Sequence, residues 1–486
     1  MLSAELTAVS RSGAGFAAHG LSLLTGWLPL TMQAVAALAL LAAIGRRPAR
    51  WFRWRLPALL LTGAAAALLG AWYVRTNGLA SDPAPALLWV WVAVSAAAVL
   101  LALIGWPGIR WPRRALSIVA SVLALLCLGL VLNQWVGYFT TVPEAWGQLT
   151  EGPLPDQVDQ DQLAALTGQG ATMRSGRLVA VDIPATRSHF AYRQEYVYLP
   201  PAWFTANRPR LPVLMMIAGE FNTPADWIRV GNAVQTADAF AARHRGTAPV
   251  LAFVDSGGSF NNDTECVNGP RGAVADYLTQ DVPSYLESEF QVATGPAGWG
   301  VVGWSAGGTC AVDLAVTHPE LFGTFEDIAG DLGPNAGDRA STIAKLYGGD
   351  ARAWSAFDPL TVMAAHGRYL NTAGWFDNSS GTGPRWQRPP GRHGGGRPHG
   401  PFGARRARAG GPAGYGGRPD GFDPPGTEAV AANQLCTAAR AQGITCTLHT
   451  QDGRHSWQFA TAAFSDAFGW LSGRLGIPSG PNPPAT

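Results

Sequence analysis

The residues best suited to do chemistry lie in Trp299-Gly300-Val301-Val302-Gly303-Trp304-Ser305-Ala306-Gly307-Gly308-Thr309-Cys310. A short apolar run enters Gly-x-Ser-x-Gly, and a helix-like stretch, Ala311 to His318, leaves it. That is the strand–turn–helix order of a nucleophile elbow, which lifts a serine hydroxyl above the end of a sheet. Gly303 and Gly307 carry no Cβ, so strand and helix can close on each other around the turn. The amide of Ala306, at the helix start, can donate to an oxyanion. In a chain with 59 glycines the motif alone is weak; the elements on either side give it weight. A serine hydroxyl is a poor nucleophile near neutral pH and needs an adjacent base. Of nine histidines, His455 has the right setting, on a loop between an expected last strand, Thr445–His449, and a closing helix, Trp457–Leu475. Gly453 lets that loop turn. His318 ends the nucleophile helix and reads as a partner of its dipole. His449 reads as structural, and His393 and His399 fall in a low-complexity stretch. A third group must hold the imidazole in one tautomer and stabilise its charged form. Asp377, the first carboxylate after an expected strand at Tyr369–Thr372, takes that role; its other reading is a turn cap ahead of Asn378-Ser379-Ser380.

These groups need a sheet to bring them together. Apolar or alternating runs at Arg177–Ile183, Glu195–Leu199, Pro212–Ile217, Val250–Val254, Gly300–Gly303, Phe322–Ile328, Tyr369–Thr372 and Thr445–His449 predict strands. Helical spacing appears at Ala275–Phe290 and Thr427–Gln442. Strands alternating with helices predict an α/β fold with a mostly parallel central sheet, its active residues at the carboxyl ends of the strands.

The N-terminal third has another character. Leu21–Ile44, Leu56–Val74, Ala86–Trp106 and Leu116–Phe139 contain no Lys, Arg, Asp or Glu, and each approaches the ~20 residues that cross a bilayer as a helix. They predict an all-α bundle of four transmembrane helices. Trp51, Trp54, Trp72, Trp106, Trp111 and Trp135 cluster at the span ends, where amphipathic rings favour the interface. Arginines crowd the first connection (Arg46, Arg47, Arg50, Arg53, Arg55) and the third (Arg110, Arg113, Arg114). The positive-inside rule therefore puts those loops in the cytoplasm and both the N-terminus and the catalytic half outside. A net charge of +2 and 14% charged residues give no indication of nucleic acid as a partner. Of five cysteines, Cys127 lies in a span and reads as packing. With the C-terminal half outside the cytoplasm, Cys436–Cys446 and Cys266–Cys310 are the favoured disulfides; the alternative is four buried thiols. No spacing suggests a zinc site, and no cofactor is expected.

Four stretches carry a family resemblance: Met215-Met216-Ile217-Ala218-Gly219-Glu220, the Gly303-Trp304-Ser305-Ala306-Gly307 elbow with His318-Pro319-Glu320 after its helix, Gly374-Trp375-Phe376-Asp377, and Gly453-Arg454-His455-Ser456-Trp457. Over Arg177 to Leu475 the chain resembles the esterase family of α/β-hydrolases that includes esterase D, feruloyl esterases and mycolyltransferases of the antigen 85 type. The four-span domain lies outside that family pattern. The resemblance implies a serine nucleophile, Ser305, and an oxyanion hole completed by the amide of Glu220, with Phe221 as alternative. Feruloyl-esterase-like members place the acid as Asp377 is placed. The mycolyltransferases use a glutamate further along, a role open here to Asp420, Asp423 or Glu428.

The expected organisation is a membrane domain (1–139), a linker (140–169) and a hydrolase domain (170–478). A Gly/Pro/Arg-rich insertion (381–426), expected to be disordered, interrupts the hydrolase domain, and a short tail (479–486) follows it. The expected function is a membrane-anchored extracytoplasmic serine esterase acting on an ester of a lipid or cell-envelope component. Acyl transfer and a non-catalytic envelope-binding module are the alternatives. The insertion reads as a tolerated surface segment or as a contact for anionic headgroups.

Overall fold

A computed structural model describes residues 21–45, 49–77, 84–104, 111–150, 154–168, 173–380 and 427–478. The chain divides into two compact units, 1–67 with 86–152, and 68–85 with 153–486.

The N-terminal helices are α1 (Trp27–Ile44), α2 (Ala49–Asn77), α3 (Ala86–Ile104) and α4 (Trp111–Val136). All four are long and apolar enough to cross a membrane. Small residues occupy their contacts: Ala36, Ala43, Ala98, Ala120 and Ala124 are fully buried. A Cβ on Gly63 of α2 would stand 2.6 Å from the Ala93 carbonyl of α3. Close backbone approach over small side chains is how helices pack when the solvent is itself apolar. Ser121 donates across to the Ala98 carbonyl at 2.8 Å. Leucines such as Leu38, Leu61 and Leu103 point outward and are exposed. The first apolar run begins at Leu21, but the helix starts only at Trp27. Before it, Leu23 donates to the Thr140 carbonyl (2.9 Å), and Val142 donates to the Leu21 carbonyl (3.0 Å).

The second unit is built on one sheet. Its strands are β1 (Gln157–Val158), β2 (Arg177–Val181), β3 (Glu195–Leu199), β4 (Val213–Ile217), β5 (Val250–Val254), β8 (Trp299–Trp304), β9 (Thr324–Ile328), β10 (Ala373–Ser379) and β11 (Thr445–Gln451); a separate hairpin supplies β6 (Asn268–Gly269) and β7 (Gly272–Ala273). The nine strands run in the order β1-β2-β3-β5-β4-β8-β9-β10-β11. β3 pairs antiparallel with both β2 and β5, and every other neighbouring pair is parallel. β4, β5, β8 and β9 are buried along their whole length. That explains the continuous apolar runs of β4, β5 and β8, since helices cover both faces of such a sheet; β9 buries Thr324, Glu326 and Asp327 as well. The architecture is therefore four long apolar helices followed by an α/β-hydrolase domain with a mostly parallel sheet.

Two expectations need correction. The stretch read as a linker holds helices at Val142–Leu149 and Gln160–Gly168, and β1 within it extends the sheet beside β2. The strand expected at Tyr369–Thr372 lies at Ala373–Ser379 instead. That shift carries Asp377 off a loop and into the sheet. The insertion and the tail lie outside the described residues.

Candidate active site

The elbow is held by backbone contacts that only glycine allows. A Cβ on Gly303 would sit 1.7 Å from the Gly307 carbonyl oxygen, and one on Gly307 would sit 2.4 Å from that of Ile217. Ser305, between them, has φ 58° and ψ −123°, a conformation L-residues rarely hold. Strain of this kind persists at functional sites because the surroundings enforce it. Here the Ser305 amide donates to the Ile328 carbonyl at the end of β9 (2.9 Å). The nucleophile helix, Ala306–Thr317, begins at the next residue, so the Ala306 amide has no acceptor within the helix.

His455 reaches this turn from the loop after β11. Its Nε2 lies 2.9 Å from Ser305 Oγ. Its Nδ1 lies 2.7 Å from Glu428 Oε1. Glu428 sits in the first turn of the helix Thr427–Ala441 and is 5% exposed. A carboxylate there is favoured by the helix dipole. Its other oxygen accepts from Ser379 Oγ at 3.2 Å. The Trp304 ring lies over the imidazole, with centroids 4.2 Å apart. Ser305, His455 and Glu428 thus form one hydrogen-bonded chain, with the base oriented by a buried carboxylate as acyl transfer requires.

Asp377 is not the acid in this arrangement. It is fully buried in β10 opposite His449 of β11. Its carboxylate accepts from His449 Nδ1 (2.7 Å), Trp375 Nε1 (2.7 Å) and Gln451 Nε2 (3.2 Å). Burial pushes its carboxyl upward, and the His449 hydrogen bond opposes that. Of the alternatives weighed from the sequence, Glu428 is the one beside His455; Asp420 and Asp423 lie outside the described residues. The roles of Trp304 and Ser379 were not read from the sequence. The tryptophan's place in Gly-Trp-Ser, next to the nucleophile, was the available signal.

Gly219 brings the end of β4 against the elbow: a Cβ there would be 3.1 Å from Ser305 Cβ. Glu220 and Ala306 then line a shared cleft. Both residues expected to present oxyanion-binding amides therefore border the same space. The far wall of the cleft comes from the loop 255–265, anchored by the Cys266–Cys310 disulfide to the nucleophile helix. Cys436–Cys446 is also paired. Burial raises the carboxyl of Glu220 to about 8, helped by Asp263 and opposed by Arg271. Asp263 rises to about 6 for the same leading reason.

A family model described as "Putative esterase" matches residues 192–385. An uncharacterised protein of Corynebacterium glutamicum is 30% identical over 339 residues, spanning 68% of this chain and 76% of that protein. The MPT51 antigen of Mycobacterium leprae is 27% identical over 136 residues, 28% of this chain and 42% of the antigen. Among solved structures, an S-formylglutathione hydrolase from Agrobacterium tumefaciens is 17% identical, with a TM-score of 0.45 over 63% of this chain and 98% of its own. The chain belongs to the esterase family of α/β-hydrolases.

Proposed function

We propose that the chain is a membrane-anchored serine esterase with Ser305 as nucleophile, His455 as base and Glu428 as the acid that orients it. The observation that carries this is the continuous chain from Ser305 Oγ through both imidazole nitrogens to a buried carboxylate. Ser305 Oγ adds to the ester carbonyl as its proton passes to His455 Nε2. The carbonyl electron pair moves onto oxygen, which the amides of Ala306 and Glu220 hold. The carbon–oxygen bond to the alcohol then breaks, and His455 returns the proton to the departing alkoxide. Water repeats the sequence on the acyl-enzyme, giving the acid and free Ser305. None of these steps draws on a cofactor.

Four apolar spans on the same chain favour an ester presented in or near the bilayer, such as an acylated envelope glycolipid or an acylated or aminoacylated phospholipid. Arginine placement favours an extracytoplasmic catalytic domain in the plasma membrane. The glutamate at the third position favours a second reading, acyl transfer, since the resemblance to the mycolyltransferases implies a glutamate there.

The test uses full-length protein in lipid vesicles, supplied with an acylglycerol ester and a competing alcohol. Free acid as the main product supports hydrolysis. An ester of the added alcohol as the main product supports transfer. Folded protein that turns over no ester leaves only a binding module.

A further inference from the structure

The cleft beside Ser305 holds more acid than the proposed reaction uses. Glu220, Asp263 and Glu265 all line it. The cations nearest to them are already engaged. Arg193 is bound to Asp255 at 2.6 Å and to the Asn222 carbonyl at 2.7 Å. Arg271 pairs with Asp263 at 3.6 Å. Lys345 donates to the Ala336 carbonyl at 3.0 Å. Glu265 is 6% exposed, and its Oε2 has no hydrogen-bond partner among the described residues. A buried polar atom left without a partner is costly, and this one belongs to a residue that lines the cleft.

Its placement is also enforced. Glu265 and Cys266 both have left-handed backbones, φ 50° and 54°, which side chains disfavour. The Cys266–Cys310 disulfide fixes that turn to the helix that Ser305 caps. Phe221 and Phe260, whose rings are 5.4 Å apart, complete the lining. Aromatic faces beside carboxyl groups suit an ammonium, which gains from both. A metal ion fits less well, because among the described residues no three acidic, histidine or cysteine side chains converge to hold one.

We propose that this cleft is a subsite for a cationic nitrogen carried by the ester substrate, with Glu265 and Glu220 as its acceptors. The inference rests on the serine-esterase reading and narrows its substrate class to esters bearing an amine. The nitrogen belongs to an aminoacyl group when it lies on the acyl side, and to an amino-alcohol when it lies on the other. Burial holds the carboxyls of Glu220 and Glu265 above their ordinary range. An arriving cation offsets that burial and lets them ionise against it.

The experiment compares isosteric ester pairs on the full-length protein: alanine ethyl ester against ethyl isobutyrate, and protonated 2-(dimethylamino)ethyl acetate against 3-methylbutyl acetate. Each kcat/KM is divided by that ester's own rate with hydroxide, since an ammonium activates a neighbouring ester. The expected result is a preference for the cationic member of one pair of at least about tenfold, the scale of one hydrogen bond to a charged group. The favoured pair identifies the side that carries the nitrogen. Glu265→Gln is expected to bring the ratio toward one. Ratios at or below one in both pairs overturn the inference, as does a folded Glu265→Gln chain that keeps the full preference. The wild-type ratio needs no variant, so a Glu265→Gln chain that fails to fold leaves it decisive. Hydrolysis of the neutral esters that Ser305→Ala abolishes shows the esterase reading intact even where the preference is absent. No turnover of any ester removes both.

Discussion

Glu428→Gln is the perturbation that separates the two candidate acids. The carboxylate accepts from His455 Nδ1 at 2.7 Å and is 5% exposed, so water screens it little. During attack the imidazole becomes cationic. Charge centres on the order of 4 Å apart, at an effective dielectric near 20, attract by about 4 kcal/mol. Losing that attraction only in the transition state lowers kcat by roughly a thousandfold. The glutamine amide can also donate to Nδ1 and hold the wrong tautomer, which adds to the loss. Asp377→Asn is the matched control. Its carboxylate supports His449, Trp375 and Gln451, so its loss lowers stability by on the order of 1–3 kcal/mol and leaves kcat within a few-fold. Steady-state hydrolysis of a chromogenic ester by each folded variant reads the difference. A large kcat loss in Asp377→Asn with little in Glu428→Gln would refute the assignment.

The remaining predictions concern the scaffold. Gly303→Ala places a methyl 1.7 Å from a backbone oxygen; it should cost at least ~3 kcal/mol and show as poor expression or a large drop in Tm. Removing Cys266–Cys310, which closes a 44-residue separation, by the paired substitutions Cys266→Ala and Cys310→Ala should lower stability by about 4 kcal/mol on loop-entropy grounds, read as a fall in Tm. Stability should also fall as pH rises. Burial lifts the Glu195 carboxyl from 4.5 to about 8 despite hydrogen bonds from Tyr277 and the Asp255 amide, and it lifts Asp327 from 3.8 to about 8. Between the ordinary and raised values the folded chain holds protons that the unfolded chain has released, so the slope of stability against pH is negative there. Tm should be higher near pH 5.5 than near pH 8, and the reverse order contradicts the reading.

The elbow and its base were legible because their signals are local: two glycines with a serine between them, and a histidine on a glycine-bearing loop after the last strand. The centre of the sheet was legible because β4, β5 and β8 are uninterrupted apolar runs. The acid was not. Asp377-Asn378-Ser379-Ser380 has turn composition, yet β9 on one side pairs as far as Asp377 and β11 on the other carries the pairing on through Ser379. Register then opposes Asp377 to His449 and commits it there. Glu428 is separated from β10 by the low-complexity stretch 381–426, so spacing carried no information about where it returns. Only the resemblance to enzymes with a later glutamate raised it. Glu265 went unremarked because its meaning depends on the helix to which its neighbour Cys266 is tied through Cys310 and on the end of β4, both distant from it in sequence.

The most direct measurement is the intact mass of folded, full-length protein after treatment with a serine-directed fluorophosphonate. The account predicts one adduct, mapped by peptide to Ser305, absent in Ser305→Ala and formed far more slowly in His455→Ala. Folded protein that stays unmodified, or an adduct on another residue, would contradict it.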